Sequence, residues 1–282
     1  MNQSRTLTLL MVVPALLMVV GLFVVPLLAS MESAFATGEG YGFAHFAKAI
    51  ELYGRDILYT LGIVSLSAVL IALLSIAIGG TLTLSGNRRL VAVLAAVYRW
   101  PLFIPFIVAA QCMRTFLAKN GLMNNALMSA DVITPLEAVS FLDWSGIVFA
   151  FVWKQTAFAT LMIAGAMAAM ERSQIQAAAN LGAGKARILF QIILPQVSGT
   201  VGVALILSIV TMLSVLSVPL MIGTGTPTML TADMAFRISS YGDYGVANAL
   251  GFISWLMTAG LAWYYLRFSM RNQQQSLKGG AA

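Results

Sequence analysis

The sequence predicts an all-α membrane protein with six transmembrane helices and with its N- and C-termini on the cytoplasmic side. Three observations carry that prediction. The chain is 60% apolar and 9% charged, whereas charged residues alone make up about 25% of an ordinary soluble domain, and its mean hydropathy is +0.89. It contains six apolar runs of at least about 18 residues, the length a helix needs to cross a bilayer whose hydrocarbon offers backbone groups no partner outside their own segment. Its charges alternate in sign from one inter-span segment to the next, as they do when Lys and Arg are retained at cytoplasmic span ends.

The first run is Leu7 to Ala29. Ala34-Phe35-Ala36 has the small-residue pattern of a signal-peptidase site, but the run exceeds the 7–15 residues of a signal core, and Glu32 and Ser33 separate it from that pattern, so it is expected to stay as a span. The second run is Ile57 to Leu84, and the third is Val91 to Phe116, interrupted by Pro101 and Pro105. Two prolines four residues apart remove backbone donors, so this span is expected to be kinked or unwound beside protein or a water-filled cavity. The fourth run is Gly146 to Met170, the fifth Val201 to Ile222 and the sixth Val246 to Arg267. This divides the chain into residues 1–56, the first helix with its outer loop, and residues 57–282, a five-helix core that includes a long cytoplasmic segment, 171–200. The outer segments Met31 to Asp56, Leu117 to Ser145 and Gly223 to Gly245 have room for short surface helices but not for another domain. The tail "RNQQQSLKGGAA" is expected to fray.

With the N-terminus inside, the cytoplasmic segments carry Arg5, Arg88, Arg89, Arg172, Lys185, Arg187, Arg267, Arg271 and Lys278, with Glu171 as their one acid. The outer segments carry Lys48, Arg55, Lys119 and Arg237 against Glu32, Glu39, Glu51, Asp56, Asp131, Glu137, Asp143, Asp233 and Asp243. The net charge of +6 is therefore a topology signal, and the partner it implies is a lipid bilayer rather than nucleic acid. Cys112 is the one cysteine, so no internal disulfide forms, and with His45 the one histidine no zinc-type ligand set exists.

The segment "QAAANLGAGKARILFQIILP", Gln176 to Pro195, superficially suggests a phosphate-binding loop. Ala179 stands where a Walker A loop needs its first glycine and Ala186 where it needs a hydroxyl, so nucleotide binding is not expected. The composition instead predicts two short helices joined by a bend at Gly182, a residue free to adopt conformations others avoid, with Pro195 stopping the second helix or starting the next. A thin, alanine-rich helix flanked by Lys185 and Arg187 suits insertion into a groove on a partner.

These residues resemble a known family, the inner-membrane permeases of binding-protein-dependent ABC importers, whose cytoplasmic loop reads Glu-Ala-Ala, three residues, Gly, nine residues, Ile-x-Leu-Pro. Here Gln176-Ala177-Ala178 is followed at both spacings by Gly182 and by Ile192-Ile193-Leu194-Pro195, with Gln176 replacing the usual glutamate. The stretches "YRWPLFIPFIVAA" with "NGLMN", "VWKQTAFATLMIAGAM" and "YGDYGVANALGF" are similar to the family's third, fourth and last spans. The resemblance implies a type I importer permease fold with a cytoplasmic coupling helix, half of a solute pathway in a bacterial-type inner membrane. It also implies partners: a second permease subunit, identical or merely similar, two ATP-binding cassette ATPases and an extracytoplasmic solute-binding protein. ATP would sit on those ATPases, with no cofactor in this chain and no enzyme activity of its own. The residues implied in docking are Gln176, Ala177, Ala178, Gly182, Ala183 and Lys185.

Polar groups at membrane depth mark pathways by default. Lys154 is the basic residue placed deepest, whereas Arg99 and Arg114 lie where they can snorkel. Gln111, Gln155, Thr156, Ser214, Ser217 and Asn248 are candidates to hydrogen-bond a solute, with helix-to-helix bonding as the alternative. No span contains Asp or Glu, which argues against an ion-coupled carrier and against a strongly cationic solute, and the missing acid, base and nucleophile set argues against an enzyme. Leu181-Gly182-Ala183 at the bend is similar to relatives that import polyamines, phosphonates, thiamine or iron, where sugar permeases usually carry Asp-Gly-Ala. The expectation is thus a small non-sugar organic or anionic solute, with a sugar as the alternative.

Overall fold

The computed structural model describes residues 12–38, 40–223 and 225–279; Arg5, the start of the first predicted span and Glu39 lie outside these. The described residues are almost entirely helical. In order they form α1 (Val12–Phe35), a hairpin of β1 (Ala36–Thr37) and β2 (Gly40–Tyr41), α2 (Ala44–Leu84), α3 (Arg88–Val97), a 3₁₀ turn (Trp100–Phe103), α4 (Phe106–Leu117), α5 (Leu122–Ser129) and α6 (Trp144–Ala168). Then come α7 (Arg172–Asn180), α8 (Lys185–Ser214), α9 (Ser217–Ile222), α10 (Leu230–Phe236) and α11 (Tyr244–Gly279). Five helices, α1, α2, α6, α8 and α11, are long and apolar enough to span a membrane. The bent pair Arg88–Phe103 and Phe106–Ser129, folded by 109°, makes a sixth, broken span.

The span boundaries shift for identifiable reasons. The helix expected from Val201 already begins at Lys185 and runs through Pro195. That proline is tolerated because the preceding turn, Leu189–Ile193, is a π turn in which the Leu194 N–H reaches back five residues to the Leu189 carbonyl, giving the ring room it lacks in a regular helix. Pro26 in α1 follows a π turn at Val20–Val24 in the same way, with the Val25 N–H on the Val20 carbonyl. The same span ends early, at Ser214, where Val215 turns extended and α9 starts afresh. In the tail, helix α11 continues to Gly279, because Gln, Arg, Leu and Lys are adequate helix formers.

The chain packs as two units. One comprises residues up to Arg55 with Asp233–Leu256. In it, Phe35, Phe43, Phe46 and Phe252 form a ring cluster with centroids 4.8 to 5.9 Å apart, and the Ser30 hydroxyl donates to Asn248 at 2.8 Å. Arg237 lies between the rings of Tyr53 and Tyr241 and donates to the Tyr53 hydroxyl at 2.6 Å. Asp243 accepts from Lys48 at 2.8 Å and faces Arg237 at 3.6 Å. The Lys48 hydrogen bond is the main reason its carboxyl is held below the usual carboxylate range, against the opposing effect of burial.

The other unit, Asp56–Ala232 with residues from Met257 onward, holds the main core. Its centre is α6, which starts on an Asp143 N-cap accepting from the Ser145 N–H at 2.8 Å. In its most apolar window 56% of residues are buried, against at most 28% in the other four unbroken spans. Ile147, Phe151, Ile163 and Met167 are fully buried among α2, α4, α8 and α9. Gly79 and Gly80 let α2 approach closely, since a Cβ there would stand 3.1 Å from the Met167 sulfur and 2.8 Å from a Leu189 methyl. At the cytoplasmic end of α2, Asn87 caps α3 by accepting from the Arg89 and Leu90 N–H groups.

Candidate functional site

The segment singled out by its spacing folds as a helix with a built stop. Ala177, Ala178 and Ala179 carry α7 to Asn180, and Gly182 then turns left-handed at φ +84°. The Gly182 N–H donates to the Ala179 carbonyl and the Ala183 N–H to the Ala178 carbonyl, both at 3.0 Å, the paired bonds of a Schellman stop, which needs a residue free to adopt positive φ. Gly184 then caps the first turn of α8, where Lys185 and Arg187 project. The bend is thus held by backbone bonds, not by side chains reaching in from elsewhere.

Its two faces differ. Ile175, Ala178 and Ala183 are half-buried against the core, while Gln176, Ala177, Gly182 and Lys185 are exposed and Leu181, at the tip, is 89% exposed. On its exposed side α7 is tied to α8 by Gln196, whose amide donates to Gln174 at 2.9 Å. The hook thus presents small and polar groups outward and roots an apolar face in the core. Beside it, a cleft of about 580 Å³ runs between α2 and α8, lined by Gly80, Thr81, Leu84, Lys185, Leu189 and Phe190.

The expected kink in the third span is a full break. Pro101 sits in the 3₁₀ turn, Ile104 is extended, and Pro105 caps α4, as the restriction a proline places on its predecessor requires. Lys154 of α6, only 8% exposed, points into this break. Its ammonium donates to the Pro101 carbonyl, lies 3.5 Å from the Leu102 carbonyl and sits 5.3 Å from the Phe106 ring centroid.

The other polar candidates scatter. Gln155 and Thr156 are buried beside Lys154 on α6, and the Gln155 amide nitrogen and the Thr156 hydroxyl have no hydrogen-bond partner. Ser75 of α2 reaches the Thr156 carbonyl at 3.5 Å. Gln111 on α4 is exposed; Ser214 is exposed but turns its hydroxyl onto the Val210 carbonyl of its own helix at 2.7 Å. Ser217 is half-buried at the start of α9, and Asn248 belongs to the other unit, bonded to Ser30. Two anchors carry no sequence signal of their own. Asn124, 2% exposed, gathers the Ala118, Lys119 and Val139 carbonyls at 3.2, 2.9 and 2.8 Å and so folds the outer loop; it lies within "NGLMN", where only the resemblance pointed. Gly146, at the head of α6, accommodates the Phe141 carbonyl where a side chain would stand.

Comparison with known proteins agrees with this geometry. Residues 71–272 match the family described as "Binding-protein-dependent transport system inner membrane component". The sulfoquinovosyl glycerol transport system permease SmoG of Agrobacterium fabrum is 32% identical over 128 residues, 44% of this chain and 42% of that protein, so the match spans less than half of that relative's length. The trehalose/maltose transport system permease MalF of Thermococcus litoralis is 28% identical over 230 residues, 77% of this chain and 76% of the other. Among solved structures, a bacterial alginate ABC transporter in complex with an alginate pentasaccharide-bound periplasmic protein superposes with a TM-score of 0.81 at 18% identity, covering 95% of this chain and 96% of that one. The MetNI methionine ABC transporter does so at 0.59 and 15%, covering 78% and 95%. The last two show the fold alone.

Proposed function

Because the chain belongs to the family of inner membrane components of binding-protein-dependent transport systems, and is the permease subunit of an ABC importer rather than an enzyme itself, we propose that the solute it admits is a carbohydrate. The two named permeases above act on sulfoquinovosyl glycerol and on trehalose/maltose, and the superposing transporter with the higher score carries alginate. These support a sugar over the small non-sugar solute that the Leu181-Gly182-Ala183 bend suggested. Leu181 is an 89% exposed cap on the far end of α7, so on this reading its identity bears on docking rather than on the solute.

On this reading the hook of α7, Gly182 and the start of α8 docks in a groove of a separate ATP-binding cassette subunit in the inner membrane complex, and ATP is bound and hydrolysed there. Gln176, Ala177, Leu181 and Lys185 form the outward contact, and Ala178 and Ala183 root it in the core. A second permease subunit, like or unlike, completes the pore, and an extracytoplasmic binding protein delivers the solute. Exposed Gln111 and the unpartnered Gln155 and Thr156 supply hydrogen bonds of the kind a hydroxyl-rich solute needs, and the absence of Asp and Glu from the predicted spans suits a neutral or anionic sugar. The single observation that carries the docking is the outward-facing, hydrogen-bonded bend at Gly182.

The test is uptake by the complex reconstituted in vesicles with its ATPase and binding protein, offered maltose-class oligosaccharides, a sulfonated or uronic acid sugar, and methionine. ATP-dependent entry of a sugar with no entry of the amino acid is the expected result. Entry of methionine alone would reject the carbohydrate assignment while leaving the permease assignment intact.

A further inference from the structure

Among the described residues Lys154 is the only buried lysine or arginine, and no carboxylate lies in any predicted span to pair with it. What it meets instead is backbone. In an unbroken helix the N–H of residue 105 would donate to the carbonyl of residue 101, four positions earlier. Pro105 has no N–H, so the carbonyl of buried Pro101 loses its helical donor. The same proline forces Ile104 out of the helical region, to φ −97° and ψ 119°, leaving the Ile104 N–H only a long 3.4 Å approach to Pro101. The group that gives the Pro101 carbonyl a second donor is the Lys154 ammonium, with the Leu102 carbonyl at 3.5 Å and the Phe106 ring face 5.3 Å away sharing its charge.

We propose that Lys154 is a positioning residue that pins the break in the third span to the buried fourth span by replacing the donor that Pro105 lacks, and so sets the angle at which α4 stands in the transport cycle. This goes beyond the solute assignment, because the lysine acts through a carbonyl of its own chain and not through contact with cargo. The pin joins the most buried helix of the core to the most bent span, and α4, the arm it holds, carries exposed Gln111.

The test is a double-mutant cycle on the full chain in its complex: Lys154→Met, Pro105→Ala and the pair. Lys154→Met leaves the Pro101 carbonyl with only the long Ile104 approach, and the melting temperature is expected to fall by about 3 °C or more. Pro105→Ala restores an N–H and releases Ile104, so in that background the lysine is expected to be dispensable and the pair to melt with Pro105→Ala alone. Additive losses would overturn the proposal, as would a Lys154→Met protein that melts like wild type; should the single variant fail to fold, recovery of folded protein in the pair supports the proposal and its failure overturns it. In uptake, Lys154→Met is expected to lower the maximal rate by about tenfold for neutral and anionic sugars alike, as a misplaced supporting group can. A loss confined to anionic sugars would show a lysine that contacts cargo and would reject the pin. Because the melting readout needs no solute, it stands or falls apart from the carbohydrate assignment.

Discussion

Gly182→Val is expected to abolish most ATP-driven uptake, by at least about tenfold, while the complex still assembles and still hydrolyses ATP. The φ of +84° at this position costs an L-residue about 1–2 kcal/mol, and a β-branched one tolerates it least. No atom lies within 4 Å of a Cβ built there, so the whole penalty falls on the backbone. It is relieved by giving up the 3.0 Å bonds from Gly182 and Ala183 back to α7. The hook then straightens or frays while the core beneath it, which does not depend on that turn, remains. The series Gly182→Asn, Gly182→Ala and Gly182→Val should lose coupling in that order, because Asn visits the left-handed region most readily. Uptake and ATPase rates measured side by side check this; equal loss of both, or no loss of either, would contradict it.

Gly146→Ala is expected to be the most damaging single methyl addition in the core. Its Cβ would stand 2.0 Å from the Phe141 carbonyl oxygen and 3.0 Å from an Ile222 methyl. A flexible side chain can swing away, but here the obstruction is backbone, and the Phe141 N–H is itself tied to the Leu117 carbonyl at 3.0 Å. The clash therefore displaces either the head of α6 or the outer loop that leads into it. Overpacking of this kind costs about 3 kcal/mol or more, equivalent to about 6 to 12 °C in melting temperature for a chain of this size. Thermal unfolding in detergent measures it, and a shift within 2 °C would show that the loop yields at little cost.

Much of this architecture is legible in the residues because the bilayer leaves few alternatives. A run such as Ile57 to Leu84 can only be a helix, and the Lys and Arg at cytoplasmic ends orient it. The bend was legible too, since Gly182 follows three alanines at the position where a helix stop needs positive φ. Less accessible were features that depend on what a segment meets in three dimensions. Two prolines announce a disturbance, but whether it is a mild kink or a 109° break depends on a partner such as Lys154 being available 53 positions away to hold the Pro101 carbonyl. Pro195 suggested a helix end because nothing local reveals that the turn before it will widen. The hairpin at Ala36–Tyr41 has strands of two residues, too short for an alternating pattern to show. The sequence marks Lys154 only as a cation at depth; that its ammonium meets the Pro101 carbonyl of the third span depends on the fold.

The central claim is that the bend docks with its exposed face on a separate ATPase. Site-directed disulfide crosslinking tests it most directly, with exposed Cys112 first replaced by serine to clear the background. Cysteines placed at Ala177 and Leu181 should crosslink to a cysteine series lining the ATPase groove and change their yield with nucleotide, whereas one at half-buried Ala178 should not. Absence of any crosslink from Ala177 and Leu181 in a transport-competent complex, or a crosslink from Ala178 alone, would contradict the account.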